Sequence, residues 1–366
     1  MIADVKGLSE NSGPRIAVMI LNFNRLDFLQ SCLASIPTPI PPNVSIYVID
    51  NGSTDGSTRF VRKRYPRIKL ITFTRNLGFA EAYNRAIAQV EADYILMLNN
   101  DTAILSSSWI RLLARHLERD AATAACGCKL VTMRDHRVLD SVGVMGIKYW
   151  RGFVDIGKYE KDQHQYDRPA IVPFSLCGAA MLVRRSTFLR VNGFDSKFHS
   201  YVEDVDLCWR LRLIGLKLAY EPAAKVAHYF SASRATSDLD PEKLYLSHRN
   251  LLRAIIKNCG SSSGWALRNY FLFTFMLILG FAVFEPRKAV AVVKAVLWNV
   301  IHLKDTLSLR VIVQGTRTVP DEDILPLMFP SVNRYQPVEH SRLRHLLDTL
   351  FERSRQPVPN PVPSRM

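Results

Sequence analysis

Between residues 16 and 131, short apolar runs alternate with stretches at helical spacing. The runs at 16–21, 45–49, 68–73 and 94–98 predict strands, and the segments between them predict helices. The first helix shows the logic. Asn24 suits an N-cap, Asp27 falls at N3, and Leu26, Leu29, Leu33 and Ile36 recur at helical spacing until Pro37 stops the run. A third helix is predicted from about residue 79 to 90, with Phe79, Tyr83, Ala86, Ile87 and Val90 on one face. Strand and helix in alternation predict an α/β fold with a mostly parallel central sheet, helices on both faces, and ligands bound beyond the carboxyl ends of the strands.

From Arg134 to Pro173 the pattern loosens into Gly-, Tyr- and charge-rich sequence, which predicts hairpins and a long loop over one sheet edge. A buried strand at 174–183, an amphipathic helix at 203–214 and a short strand at 225–229 are expected to close the α/β unit near residue 235. Beyond Asp240 the chain turns helical, first over 244–256. Residues 269–284 then carry no charge, a run shorter than the roughly 20 residues a spanning helix needs. Residues 290–303 mix Val, Leu, Ile and Trp298 with Lys294, and Lys304 follows, as in an interfacial helix with snorkelling lysines. The two helices lie on a membrane surface, span the membrane or pack as soluble helices, and the first is the expectation. After Arg317 come Asp321-Glu322-Asp323 and a proline-rich end, expected to be disordered.

The 366 residues are 48% hydrophobic, enough for a substantial core, which excludes collagen-like, disordered and disulfide-scaffold classes. A net charge of +15 favours acidic partners: nucleic acid, an anionic membrane face or phosphorylated small molecules. Nucleic acid is the weakest of these. Arg59, Arg62, Lys63, Arg64, Arg67 and Lys69 read as a solvated helix face and the next strand start, and no nucleic-acid motif accompanies them. The six cysteines show no paired spacing, and residues 1–7 lack an apolar signal core, so a reducing cytosol is expected. Cys126 and Cys128 have no second Cys/His pair at zinc spacing and would share one strand face.

Polar residues stand at the predicted strand ends. Strand one ends at Asn22-Phe23-Asn24, where a Gly-x-Gly-x-x-Gly dinucleotide turn is absent. The basic, glycine-rich loop of a nucleotidyltransferase is absent there too. Strand two ends at Asp50-Asn51-Gly52-Ser53. Its acid suits a ribose hydroxyl or a base imide, and equally the segment is ordinary turn chemistry. Strand four ends at Asn99-Asn100-Asp101, whose oxygens suit Mg²⁺ or Mn²⁺, or simply cap the helix through Trp109. Glu203, Asp204 and Asp206 open a helix whose dipole favours acids, and an acid at a cleft-facing helix tip can take a proton from a hydroxyl.

With Asn22–Asn24, Asp50-Asn-Gly-Ser53, Asn76-Leu-Gly-Phe79 followed by Asn84, Leu98-Asn-Asn-Asp101 and Glu203-Asp204 in this order, the chain resembles the family-two glycosyltransferases. Within them it is similar to the rhamnosyltransferase-like branch of bacterial surface polysaccharide synthesis, over about residues 15–255. The resemblance implies a GT-A fold and inverting transfer from a nucleotide-diphosphate sugar, with dTDP-rhamnose the first candidate. A UDP-sugar transferase of the same fold and a catalytically silent sugar-nucleotide-binding relative are the alternatives. By position, Asp50, Asn22 and Asn84 would line the nucleoside pocket. Asp101 and His228 would hold Mg²⁺ or Mn²⁺, with Asn99 standing where the family's metal motif often has an acid. Asp204 would be the general base, supported by Glu203, while Asp206 and Arg249 would serve the diphosphate or acceptor. The acceptor implied is a glycan, free or on polyprenyl diphosphate, at the cytoplasmic face of the cell membrane. The expected organisation is a tail (1–14), a GT-A catalytic domain (15–235), a membrane-associating helical region (236–310) and a partly disordered tail (311–366).

Overall fold

The structure is a computed structural model that describes residues 13–167, 172–229 and 240–329. The expected alternation opens the chain: β1 (Ile16–Asn22), α1 (Leu26–Ser35), β2 (Val44–Asp50), α2 (Ser57–Arg64), β3 (Lys69–Thr72), α3 (Phe79–Ala88) and β4 (Tyr94–Asn99). Three of these strands run out to the polar residue at their tip. Asn24 is not the cap of α1. It adopts a left-handed φ of 49°, open to Asn at low cost, and its Oδ1 accepts the Thr54 N–H at 2.7 Å. The free N–H of Leu26 is met instead by Asp55 Oδ2 at 2.8 Å, which ties the first helix start to the turn after β2.

β5 (Thr102–Ile104), α4 (Trp109–Arg119) and β6 (Thr123–Thr132) follow, then a small layer made of β7 (Leu139–Ser141), β8 (Val144–Ile147) and β9 (Gly152–Asp155). β8 and β9 form the hairpin expected in the loose region. The chain returns through β10 (Ala180–Arg184), α5 (Arg185–Arg190), α6 (Glu203–Leu213) and β11 (Lys217–His228). The strand expected at 174–183 joins the sheet ladder only from Ala180. Before that, Ser175 exchanges backbone hydrogen bonds with Val144 of the hairpin. β11 is much longer than the expected 225–229, and its register with β6 shifts between Glu221 and Lys225, where Pro222 cannot donate to the ladder.

The central sheet has the order β3-β2-β1-β4-β10-β6-β11-β5, with β7 beside β6. It is parallel from β3 to β4 and again between β6 and β11. The other pairings are antiparallel: β10 re-enters from the hairpin layer and runs back between β4 and β6, and β5 and β7 pair antiparallel with β11 and β6. Alternate residues of β1 face two cores. Ile16, Val18 and Ile20 pack with Leu29, Leu33, Leu113 and Leu117, whereas Ala17 and Met19 pack with Tyr83, Ile87, Leu207 and Leu211. Helices therefore cover both faces, and each such buried aliphatic side chain contributes roughly 1.5–3 kcal/mol.

The C-terminal helices are α7 (Pro241–Asn258), α8 (Ser263–Phe284), α9 (Pro286–Ile301), α10 (Leu303–Thr316) and α11 (Asp321–Met328). A third core joins Trp150, Phe174 and Trp209 to Leu251, Ile255, Tyr270, Ile324 and Met328. α10 carries helix past residue 310. The acid run after Arg317 opens α11, where Asp321 is buried and accepts from Ser262 N, Gly260 N and Arg317. α8 gains six residues before the uncharged run and is long and apolar enough to cross a membrane, with 22% of its apolar window buried in the fold. Residues 1–12 of the expected 1–14 tail, the segment at 230–239 around the expected domain end, and the proline-rich end lie outside the described residues.

Candidate functional site

Parallel pairing brings Asn22 opposite Asp50, and Leu21 opposite Asn99. Asn22 is fully buried. Its Oδ1 accepts from Asn100 Nδ2 at 2.7 Å, and its Nδ2 donates to Ser53 Oγ at 3.3 Å. Asp50 Oδ2 accepts the Ser53 N–H at 3.2 Å, while Oδ1 is buried with no hydrogen-bond partner. Such an oxygen costs about 1–3 kcal/mol unless a donor reaches it. Asn51, missed as a site residue, accepts from Leu77 N and donates to Asn76 Oδ1 and Gly78 O, stapling the Asn76–Phe79 turn onto the β2 tip. Gly78 has φ +80°, and a Cβ there would stand 2.2 Å from His199 Nδ1. Only glycine fits.

Just past β4 stands Asp101, and antiparallel β11 brings His228 beside it: Thr102 pairs with His228, and Tyr229 N donates to Asp101 O at 2.9 Å. His228 Nδ1 bonds Asp140 Oδ2 at 2.7 Å, and its Nε2 faces Asp101 Oδ1 at 3.5 Å. Burial opposes the imidazolium, but the Asp101 charge, followed by the bonds to both carboxylates, pushes the His228 pKa up to about 10. Oδ1 of Asp101 and Oδ1 of Asp140 are both buried without hydrogen-bond partners. Two buried carboxylate oxygens beside an imidazole, that of Asp101 ion-paired with it and neither accepting a full hydrogen bond, fit a hard divalent cation.

The third element is the start of α6. Asp204 Oδ2 accepts the Gly178 N–H at 2.8 Å and Oδ1 accepts Val205 N at 2.7 Å. Ala179, the next residue along, takes the Asn99 N–H at 2.9 Å, so Asp204 lies two hydrogen bonds from the β4 tip. Burial raises the pKa of Asp204 first, and the Asp155 charge adds to it. Burial and the Asp204 charge raise Glu203, whose Oε2 has no partner. Asp155 is itself raised by burial and by Asp140, against Lys158. The Cys177 thiol is pushed far up, first by burial and then by Asp155, Asp204 and Asp140 together. Asp140, Asp155, Glu203 and Asp204 thus lie close enough to feel one another's charge.

The turn that presents Asp204 is strained. His199, Tyr201 and Val202 have φ of 59°, 68° and 68°, and a left-handed non-glycine residue costs roughly 1–3 kcal/mol. Valine is an outlier there.

Three expected site residues depart from their assignments. Asn84 donates to Phe194 O at 2.8 Å and accepts Phe194 N at 2.9 Å, so its amide is engaged away from Asn22 and Asp50. It lines a cavity of about 340 Å³ whose walls include none of the strand-tip residues. Asp206 is fully buried against Arg210, Lys257 and Asn258. Burial raises its pKa, but Arg210 and Lys257 outweigh that, and the result is lowered. Arg249 turns its guanidinium to the carbonyls of Lys197 and Phe198, both at 2.9 Å, rather than to a diphosphate. Asp140 and Asp155 are the acids the sequence reading missed. They sit in the loose 134–173 region, where no periodicity marks them.

A GT-A-like sheet with carboxylates gathered at its strand tips defines a transferase of nucleotide-activated groups. Residues 17–186 match the family model described as Glycosyl transferase family 2, and residues 172–234 match N-terminal domain of galactosyltransferase. The chain carries a family 2 domain and is a glycosyltransferase. It is 29% identical over 274 residues to an N-acetylglucosaminyl-diphospho-decaprenol L-rhamnosyltransferase of Mycobacterium tuberculosis, covering 68% of this chain and 86% of the relative. Rhamnosyltransferase WbbL of Escherichia coli (strain K12) is 32% identical over 165 residues, 42% of this chain and 61% of that protein. The solved mannosyltransferase PcManGT of Pyrobaculum calidifontis, in complex with GDP-Man and Mn²⁺, superimposes with a TM-score of 0.50. It covers 79% of this chain and 88% of that one at 16% identity, a likeness of fold.

Proposed function

We propose that the chain moves rhamnose from dTDP-rhamnose to a hydroxyl of a polyprenyl-diphosphate-linked glycan, with inversion. The names of the two rhamnosyltransferase relatives support rhamnose as the sugar moved, and that of the Mycobacterium tuberculosis relative supports a polyprenyl-diphosphate-linked acceptor. One observation carries the chemistry: Asp204, with no cation paired to it among the described residues, sits two hydrogen bonds from the β4 tip that bears Asp101.

Asn22 and Asp50 hold the nucleoside, with Asp50 Oδ1 taking a ribose hydroxyl or base N–H. Asn99 borders the diphosphate. Asp101 and His228, backed by Asp140, would hold Mg²⁺ or Mn²⁺, and such an ion neutralises the charge of a departing diphosphate. Asp204 accepts the proton of the incoming hydroxyl as it attacks the anomeric carbon from the face opposite the leaving group. Glu203, raised by burial and by the Asp204 charge, keeps its proton, so that one negative charge of the pair faces the acceptor. Residues 15–235 form the catalytic domain.

The helices beyond hold the enzyme at the cytoplasmic membrane face. Phe275, Val283, Phe284, Ile301 and Val311 are exposed on α8, α9 and α10, and Arg287, Lys294 and Lys304 are exposed among them. Basic side chains gain roughly 1 kcal/mol each at an anionic leaflet. The test is a donor screen with a GlcNAc-diphospho-polyprenol acceptor, read as released nucleoside diphosphate with Mn²⁺ or with EDTA. Release from dTDP-rhamnose that EDTA abolishes is expected. Release only from UDP-sugars overturns the donor, and no release from any donor overturns the enzymatic reading.

A further inference from the structure

We propose that Asn250, braced by Arg249, is a positioning residue for the reaction: from α7 it latches the left-handed turn that presents Asp204. The proposal rests on the reading of Asp204 as the group that meets the acceptor hydroxyl.

Asn250 is fully buried, and its Nδ2 donates to the carbonyls of Phe198 at 3.0 Å, Ser200 at 2.9 Å and Tyr201 at 2.7 Å. Two N–H groups thus serve three oxygens of one turn. Which way the amide faces is set by Arg249, whose Nε donates to Asn250 Oδ1 at 2.9 Å. Arg249 adds the bonds to Lys197 O and Phe198 O, and its guanidinium lies 4.6 Å from the Trp298 ring centroid on α9. Two neighbouring side chains therefore meet the carbonyls of Lys197, Phe198, Ser200 and Tyr201, four residues of one short turn.

That turn is held in a costly shape, with His199, Tyr201 and Val202 all at positive φ. It touches both the start of α6 and the turn at Gly78. At its end, Val202 O accepts the Asp206 N–H that begins α6, and Asp204 reaches Gly178. In its middle, His199 O takes the Phe79 N–H at 2.7 Å, and the His199 ring packs on Gly78, beside the turn stapled to Asn51. An asparagine on the C-terminal helices thereby sets the position of the acid without touching it.

The test compares Asn250→Asp, which keeps the size but puts an acceptor against three carbonyls, with Tyr270→Phe, which removes a buried bond to His248 O in the same helical layer. Transfer from dTDP-rhamnose, thermal unfolding and amide exchange of residues 198–205 are measured on the full chain. Asn250→Asp is expected to lower kcat about 100-fold, as misplacing a reacting group by about 1 Å does, with donor KM within about twofold of the unaltered enzyme. Exchange at 198–205 accelerates. Tyr270→Phe lowers the unfolding temperature and leaves kcat in place. Folded Asn250→Asp with kcat within about threefold of the unaltered enzyme, or kcat falling only in step with the folded fraction, overturns the proposal. If the unaltered enzyme shows no transfer, the functional reading fails separately. The exchange measurement then decides the latch alone, and unchanged exchange in Asn250→Asp overturns it.

Discussion

Asp204 and Asp206 are two residues apart on α6, roughly 200° around the helix, and live in opposite surroundings. On the crevice side, Glu203 and Asp204 make no ion pair among the described residues, and burial raises both pKa values. On the other side, Asp206 and Asp195 are enclosed by Arg210, Arg253 and Lys257, and both are lowered despite burial. An acid left buried without a cation is poised to handle protons or cations, whereas an acid saturated by arginine and lysine holds helices together. The difference is made by Arg210 on α6 itself together with Lys257 from α7, which meet Asp206 and leave Asp204 alone.

The sharpest way to break this comparison is to neutralise each acid in turn. Asp204→Asn is expected to cut transfer about 10³-fold or more while donor affinity, by titration calorimetry, stays nearly unchanged. Asp206→Ala reverses the pattern. It strands Arg210, leaves Lys257 with Asp195 alone, and costs about 3–5 kcal/mol in denaturant unfolding, while the folded fraction keeps its kcat. Equal effects of the two substitutions on rate would erase the distinction.

Acidity sharpens it further. Asp195 and Asp206 have folded-state pKa values below their unfolded ones, so their stabilisation is present above about pH 4 and is lost as pH falls through the depressed values. Urea midpoints measured down through that range should drop, and Asp206→Asn should flatten the drop. Asp204 is raised and must be ionised to act, so kcat should fall on the acid side at a pH above the ordinary carboxylate range. Asp155→Asn removes a like charge and should move that limb to lower pH. The smallest effect is expected at the outer helices. Val283→Ser with Phe284→Ser should weaken flotation with anionic liposomes and leave turnover on a soluble acceptor unchanged.

Periodicity made the parallel half of the sheet legible, because β1, β2 and β4 are largely apolar runs followed by polar residues, and Asn22, Asp50 and Asp101 were found there. The antiparallel return of β10 was not legible, since its neighbours are set by the hairpin layer rather than by any local pattern. Asp140 and Asp155 escaped for the same reason. Helical spacing alone separates Asp206 from Asp204, and Arg210 one turn on was in view, but Lys257 and Asn258, which complete the enclosure of Asp206, arrive from about 50 residues later in the chain. Arg249 misled through its charge: a guanidinium suggests an anionic ligand, and here the strained turn's carbonyls claim it. Asn84 was likewise taken up by a backbone more than 100 residues away.

The most direct measurement is a crystal structure of the chain soaked with Mn²⁺ and dTDP. The account predicts an ion between the β4 tip and His228, with the nucleoside over Asn22 and Asp50 and the diphosphate pointing toward Asp204. Nucleotide seated elsewhere, for instance in the cavity lined by Asn84 and Arg253, with no ion at Asp101, would contradict it.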